Sequence, residues 1–190
     1  MKQRALIKKQ IIQAWNESIN EDYCNQRINS ERSLQALFWS RLNCILSENR
    51  RLFIEPTITI TTDSGNKKVI PDIVVCNTKE VIAVIELKYS PRAKPKFQKD
   101  IESLCSIARN REQIIISNER FRGIEKDGKK YALSNNILFV WAGIHAKEMP
   151  ETNELYLSAH EILNGCYLQL HAITEDNSAP TLRIHHATYP

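Results

Sequence analysis

The chain has 190 residues, 42% of them hydrophobic and 25% charged, and its 26 basic and 22 acidic side chains give a formal net charge of +4. That balance fits a single globular domain and excludes a disordered or collagen-like chain. No apolar run reaches ~18 residues, so no membrane span is expected.

The opening MKQRALIKKQIIQAW has lysines inside its apolar part and no small-residue cleavage site after it, so no secretory signal is expected. Cys24, Cys44, Cys76, Cys105 and Cys166 are scattered, odd in number and free of any C-x-x-C pair. A reducing cytoplasmic setting is expected, rather than a disulfide framework or a zinc site. A charge of +4 does not by itself declare a nucleic-acid binder; its distribution matters more.

Residues 4–19 set Ile7, Ile11, Trp15 and Ile19 four apart, one apolar stripe of a helix. Residues 21–29 are polar and read as a loop. Ser30 suits the N-cap of a second helix running to about Ser47, with Leu34, Leu37, Phe38, Leu42 and Ile45 on its buried face. Glu31 in its first turn complements the helix dipole. Arg51 to Thr62, RLFIEPTITITT, reads as a strand that Pro56 pushes toward an edge or a bend. Glu55 on it reads as an exposed edge acid, with a place near a site as the sharper alternative. A turn at 63–66 leads through Lys67 and Lys68 into the next segment. The three segments from 51 to 88 are expected to form an antiparallel meander.

The most informative stretch is Val69 to Lys88, VIPDIVVCNTKEVIAVIELK. It reads as two apolar strands around a short polar turn, each carrying a carboxylate where a buried strand should have none. Alternation puts Glu86 and Lys88 on one face with Ile82 and Val84, and Leu87 on the other with Val81, Ala83 and Ile85. If the strands pair, Asp72 at the start of one meets Glu86 near the end of the other. Two such acids repel, and burial costs several kcal/mol unless a positive charge compensates. A hard divalent cation on oxygen ligands does so, and an ammonium beside it can orient a water. The pattern suits phosphodiester hydrolysis. The bland alternative is a strand-end ion pair of Glu86 or Asp72 with Lys88.

Pro71-Asp72, thirteen intervening residues, then Glu86-Leu87-Lys88 resembles the signature of the PD-(D/E)xK nuclease superfamily. The helix and strand before the motif and the basic helix after it extend the resemblance over 30–144. It implies a restriction-endonuclease-like α/β (α+β) core, a mixed sheet flanked by helices. It implies Mg2+, replaceable by Mn2+, held by Asp72, Glu86 and the Leu87 backbone carbonyl, with Lys88 beside the attacking water. Many nucleases of that superfamily also carry a glutamate on the first core helix, which makes Glu31 a further candidate ligand.

Past Lys88 the segment from Ser90 to Asp100 carries Arg92, Lys94, Lys96 and Lys99 against one acid. A basic loop beyond an acidic site is where a phosphate backbone would be neutralised, unless it is merely solvated. A helix is expected from about Pro95 to Arg109 on the stripe Phe97, Ile101, Leu104 and Ala108. By the resemblance, Gln98 and Lys99 are its sharper nucleic-acid contacts. Gln113 to Ile116 is ambiguous between strand and helix. Residues 119–130 read as a charged loop or hairpin whose Arg120, Arg122, Lys126, Lys129 and Lys130 serve either nucleic acid or solubility. Ile137 to Ile144, ILFVWAGI, reads as a buried central strand completing a strand–helix–strand crossover. A short helix near 158–164, on which Leu157, Ile162 and Leu163 can pack, and strands at 167–174 and 181–188 follow. His171, His185 and His186 there have no metal-ligand signature and read as cross-strand histidines on a half-exposed hairpin.

One domain over 1–190 is expected, with an N-terminal helix and loop (1–29), a core (30–144) and a C-terminal helix and hairpin (145–190). The expected activity is a Mg2+-dependent endonuclease acting on nucleic acid, DNA first, in restriction, phage defence or repair. The alternative is a silent nucleic-acid-binding or partner-binding subunit of the same fold. A homodimer or a larger complex is open, since one site makes one cut.

Overall fold

The computed structural model describes residues 2–62, 65–122, 125–146, 161–174 and 179–186. Helix α1 (Lys2–Glu17) buries Ile7, Ile11, Ala14 and Trp15. It does not stop where its stripe suggests. The Ser18 hydroxyl donates back to the Ala14 carbonyl at 2.8 Å, and the chain loosens into a π-helical turn over Ser18–Tyr23. Part of the expected polar loop is therefore helical. Its acid Asp22 is buried, held by Arg41 through two hydrogen bonds of 2.9 and 3.0 Å. A buried ion pair and a solvated loop look alike in sequence, and that hid the turn.

Ser30 caps α2 (Glu31–Ile45) as expected, accepting from the Ser33 N–H. Leu34, Phe38 and Leu42 face inward, with Phe38 edge-on to Trp15.

The expected single strand over 51–62 is broken. β1 (Arg51–Ile54) ends where Glu55 turns left-handed at φ +48° before Pro56, which lacks an N–H to donate. β2 (Ile58–Thr62) then pairs with β3 (Gly65–Val69) as a separate hairpin. So Val69 belongs to the hairpin, and the meander consists of β1, β4 (Ile73–Cys76) and β5 (Glu80–Ser90), each antiparallel to the next. The hairpin is an insertion between its first two strands.

After β5, α3 (Gln98–Arg109) crosses over the sheet; it starts three residues later than expected, beyond the buried Pro95. β6 (Ile115–Arg122) and the first part of β7 (Glu125–His145) form the charged hairpin. The later part of β7 runs parallel to β5 on one side and to β8 (Tyr167–Ile173) on the other. This sandwiching explains the unbroken apolar run ILFVWAGI. β9 (Thr181–His186) closes the far edge antiparallel to β8.

The result is a mixed α/β architecture: a seven-stranded mixed sheet ordered β1-β4-β5-β7-β8-β9 with β6 on β7, flanked by helices. α1 and α2 pack on one face through Ile73, Ile85, Leu87 and Val140. α3 packs on the other through Val84, Phe139, Ile101 and Leu104. Two face assignments change. The register slips between Val81 and Ala83, so Ile82 is an extra residue that joins the α1–α2 side and Val81 the α3 side. Val84, Glu86 and Lys88 lie beyond the slip and keep the expected alternation. No described helix is long and apolar enough to cross a membrane. Leu157, Ser158, residues 187–188 and the side chains of Arg120, Arg122, Lys126 and His186 lie outside the described residues; 161–163 is helical, with Leu163 buried as expected and Ile162 exposed, against expectation.

Candidate active site

Asp72 is fixed from three directions. Its carbonyl accepts from the Glu55 N–H at 3.0 Å and from the Gln35 side-chain amide at 3.1 Å. Its carboxylate accepts from the Leu87 N–H at 2.6 Å. The break at Glu55 and the buried Gln35 thus hold the start of β4 against the end of β5. Glu86, 6% exposed, points toward α3, where the Ser103 hydroxyl donates to it, and it shares a hydrogen bond with the Asp72 carboxylate. The two acids therefore touch.

Burial raises the pKa of Glu86, and the negative charges of Asp72 and Asp100 add to the rise against the Ser103 hydrogen bond. Burial raises Asp72 as well, opposed by the Leu87 N–H. Two touching carboxyls without a cation keep a proton between them. Among the described residues neither has an ion-pair partner within 4 Å.

Lys88 sits beside them between two other acids. Its Nζ is 3.4 Å from Glu31 Oε2 and 3.8 Å from Asp100 Oδ2. Burial alone would lower its pKa, but Asp100, Glu31 and Asp72 outweigh that and raise it, so it stays an ammonium at neutral pH. Glu31 also accepts from the Tyr89 N–H at 3.2 Å, so α2 presents it to the end of β5.

Asp100 is the acid the sequence reading passed over. It lies in the first turn of α3, mostly buried, and accepts from the Trp141 indole N–H at 3.3 Å. Trp141 is opposite Glu86 in the ladder and its ring lies over Gly143, where an added Cβ would collide with it. Ser103, one turn along α3, was missed with it. The available signals were the i, i+3 spacing of Asp100 and Ser103 beside the apolar stripe and a buried indole in need of an acceptor.

These groups floor a cleft of about 430 Å3 whose lining also includes Lys67, Lys68, Val69, Ile70, Leu87, Lys99 and Glu102. Of the five residues expected to contact nucleic acid, Lys99 lines the cleft. Arg92, Lys94, Lys96 and Gln98 are exposed outside that lining, Gln98 bonded to Glu102 at 3.2 Å. Glu55 is exposed and outside the cleft lining; its N–H holds the Asp72 carbonyl, and its carboxylate accepts from the Gln35 amide at 3.5 Å.

Of the three histidines, His185 is half-buried as expected, and His171 differs. His171 is buried rather than half-exposed, 2.9 Å from the His145 ring and packed on Trp141 and His185. β8 is an inner strand of the sheet rather than an arm of a free hairpin, which is why it is covered.

Among the described residues no group of three or more His, Cys, Asp or Glu side chains is arranged to hold a metal ion. The set expected from the sequence is Asp72, Glu86 and the Leu87 carbonyl, with Glu31 as a further candidate; Glu31 is instead engaged by the Lys88 ammonium and the Tyr89 N–H, which leaves two carboxylates and the carbonyl. Its oxygens suit a hard cation that keeps waters or phosphate oxygens in its other positions. Asp72 and Glu86 lie side by side where the start of β4 meets the end of β5, and with the Leu87 carbonyl they are the residues that would hold such an ion. Compared with known protein families, with curated proteins and with solved structures, the chain finds no match.

Proposed function

We propose that the chain is a metal-dependent nuclease that hydrolyses phosphodiester bonds, DNA being the first substrate to test, in restriction, phage defence or repair. The observation carrying this reading is the contact of the buried Glu86 carboxyl with the half-buried Asp72 carboxyl, neither ion-paired among the described residues, beside the Lys88 ammonium two residues along β5 on the same face. The order helix, antiparallel meander, crossover helix, parallel strand supports it as well, since a restriction-endonuclease-like core uses that order.

A bound Mg2+ or Mn2+ would supply Lewis acidity to the scissile phosphate and a more acidic water. Asp72, Glu86 and the Leu87 carbonyl would hold it, with Glu31 at the margin. The chain's own contribution follows from the geometry. Glu86 and Asp72 would give up the proton they share in order to hold such a cation. Lys88, kept charged by Asp100 and Glu31, donates to the attacking water or to the developing charge on phosphorus oxygens. Lys99 and the exposed lysines around the cleft draw in the backbone.

The test is cleavage of plasmid, single-stranded DNA and RNA with Mg2+ or Mn2+, alongside Lys88→Ala. Cutting by wild type and its loss in the variant are expected. Equal cutting by both overturns the assignment. Salt-dependent binding without cutting favours the alternative, a silent binding subunit.

A further inference from the structure

The cleft contains side chains that hydrolysis at Asp72 and Glu86 does not use. Lys67 and Lys68 lie on β3 of the inserted hairpin, and Lys99 lies on α3; all three line the cleft around the acidic floor. Ile70, two residues beyond Lys68, lines it too and is 53% exposed. Five other large apolar side chains are exposed among the described residues: Leu6, Ile54, Ile115, Ile162 and Ile184. None of them lines this cleft. A lone exposed isoleucine is ordinary on a surface, but one at the mouth of a charged cleft invites a ligand with an apolar face.

Ile70 is not outward by accident of a loose loop. Val69 before it is buried and paired with Ile58. Pro71 after it is buried, and the Asp72 carbonyl is tied to Glu55 and Gln35. With both flanks fixed in a short extended segment, its side chain is presented to the cleft. Six consecutive residues therefore offer two cations, an apolar side chain and the site carboxylate.

We propose that the β2–β3 hairpin and Ile70 form the track for one unpaired nucleic-acid strand. Lys67 and Lys68 hold its phosphates on one wall and Lys99 on the other. Ile70 packs on the base or sugar beside the phosphate at the floor. This deepens the nuclease reading, although strand binding can be measured apart from cutting. The cleft volume lies within the ~300–1,000 Å3 of a small-ligand site, room for a nucleotide or two. A duplex can offer such a cleft only its backbone ridge and leaves Ile70 facing water. An unpaired strand can turn a base onto it, as apolar wedges do where bases are unstacked.

The experiment is fluorescence anisotropy of the full chain with labelled single-stranded DNA, single-stranded RNA and duplex DNA of about 15 nucleotides. EDTA is present, so nothing is cut, and salt runs from about 50 to about 200 mM. One or both single strands are expected to bind more tightly than the duplex. Lys67→Ala with Lys68→Ala should flatten the log K against log salt slope by about 1.4, two phosphates at about 0.7 each. Ile70→Ala should weaken single-strand binding by about fivefold at an unchanged slope, and Ile70→Met should restore most of it. All these side chains are exposed, and a thermal melt checks that each variant folds. Duplex binding equal to single-strand binding, an unchanged slope in the double variant, or an indifferent Ile70→Ala overturns the track. A wild type that binds single strands in this way but never cuts removes the enzyme and leaves the track. A wild type that cuts, with variants that bind and cut as it does, removes the track and leaves the enzyme.

Discussion

The molecule buries carboxylates in two places and treats them in opposite ways. On the α1–α2 side Asp22 is 1% exposed, yet Arg41 grips both its oxygens and Arg27 adds a third contact at 3.4 Å. The Arg41 hydrogen bond outweighs burial and holds its carboxyl below the usual range. On the α3 side Glu86 and Asp72 touch each other instead, and both are pushed up. The same chain has the arginines to neutralise a buried acid, and among the described residues it places none within ion-pair distance of Glu86 or Asp72. The first arrangement is complete as folded. On the proposed reading the second is completed by a charge from outside, and it lies on the floor of an open cleft through which such a charge would reach it.

The sharpest way to break this contrast is to remove the acids of the cleft. Asp72→Asn, Glu86→Gln or Lys88→Ala should each reduce cleavage by about 10²–10³-fold or more. Asp72→Asn and Glu86→Gln should also abolish the rise in melting temperature that Mn2+ gives the wild type, without lowering metal-free stability by more than about 1 kcal/mol. A large metal-free loss in either variant would place Glu86 and Asp72 with Asp22 as structural groups. Next in size, Arg41→Ala strands a buried Asp22. It should lower the melting temperature by several degrees, on a scale where about 1 kcal/mol moves a chain of this size by ~2–4 °C, while the Mn2+ response survives.

The sign of the pH response sharpens the comparison further. For the raised pair, the folded state holds protons that the unfolded state has already lost. Metal-free stability therefore falls as pH rises above the ordinary carboxylate range and through the raised pKa values. Bound Mn2+ displaces those protons, so its stabilising shift should grow with pH across the same window. His171 gives the opposite sign. Burial, with His145, His185 and Arg183 around it, lowers its pKa to about 3 from 6.5. Its contribution is intact above 6.5 and is lost as pH falls toward 3, at about 1.4 kcal/mol per pH unit at most. Urea unfolding at several pH values should show that acid-side slope, and His171→Gln should flatten it. The smallest effect is expected of Asp100→Asn. It keeps an acceptor for the Trp141 indole but removes one charge supporting the Lys88 ammonium. Cleavage should fall about tenfold or less, with the alkaline limb of its pH profile moving to lower pH.

The sequence disclosed most where chemistry and periodicity conflicted. Asp72 and Glu86 stood out because an apolar strand should not carry them, and they do meet. The β5–α3–β7 crossover followed from an apolar run too continuous for a surface strand. Where polarity had two explanations, reading failed. Asp22 in a polar run looked solvated, since nothing local to it named Arg41, 19 residues away, as its partner. Asp100 was one acid among lysines, and only the fold brings Trp141 to it. The inserted hairpin was hidden because β2 continues the β-rich pattern of β1; the left-handed Glu55 that separates them has no signature beyond the proline after it. The bulge at Ile82 flipped only Val81 and Ile82, leaving the motif residues beyond it in phase.

The indole of Trp141 has a further consequence. It is fully buried, bonded to Asp100 and laid across Gly143, whereas Trp15 and Trp39 belong to the helices on the opposite side of the sheet. An indole's emission responds to charge beside its N–H. A chain carrying Trp15→Phe and Trp39→Phe would hold a single chromophore against the wall of the cleft. Proton loss, ion arrival and strand entry there become optical events, readable in the ultraviolet without attaching any dye.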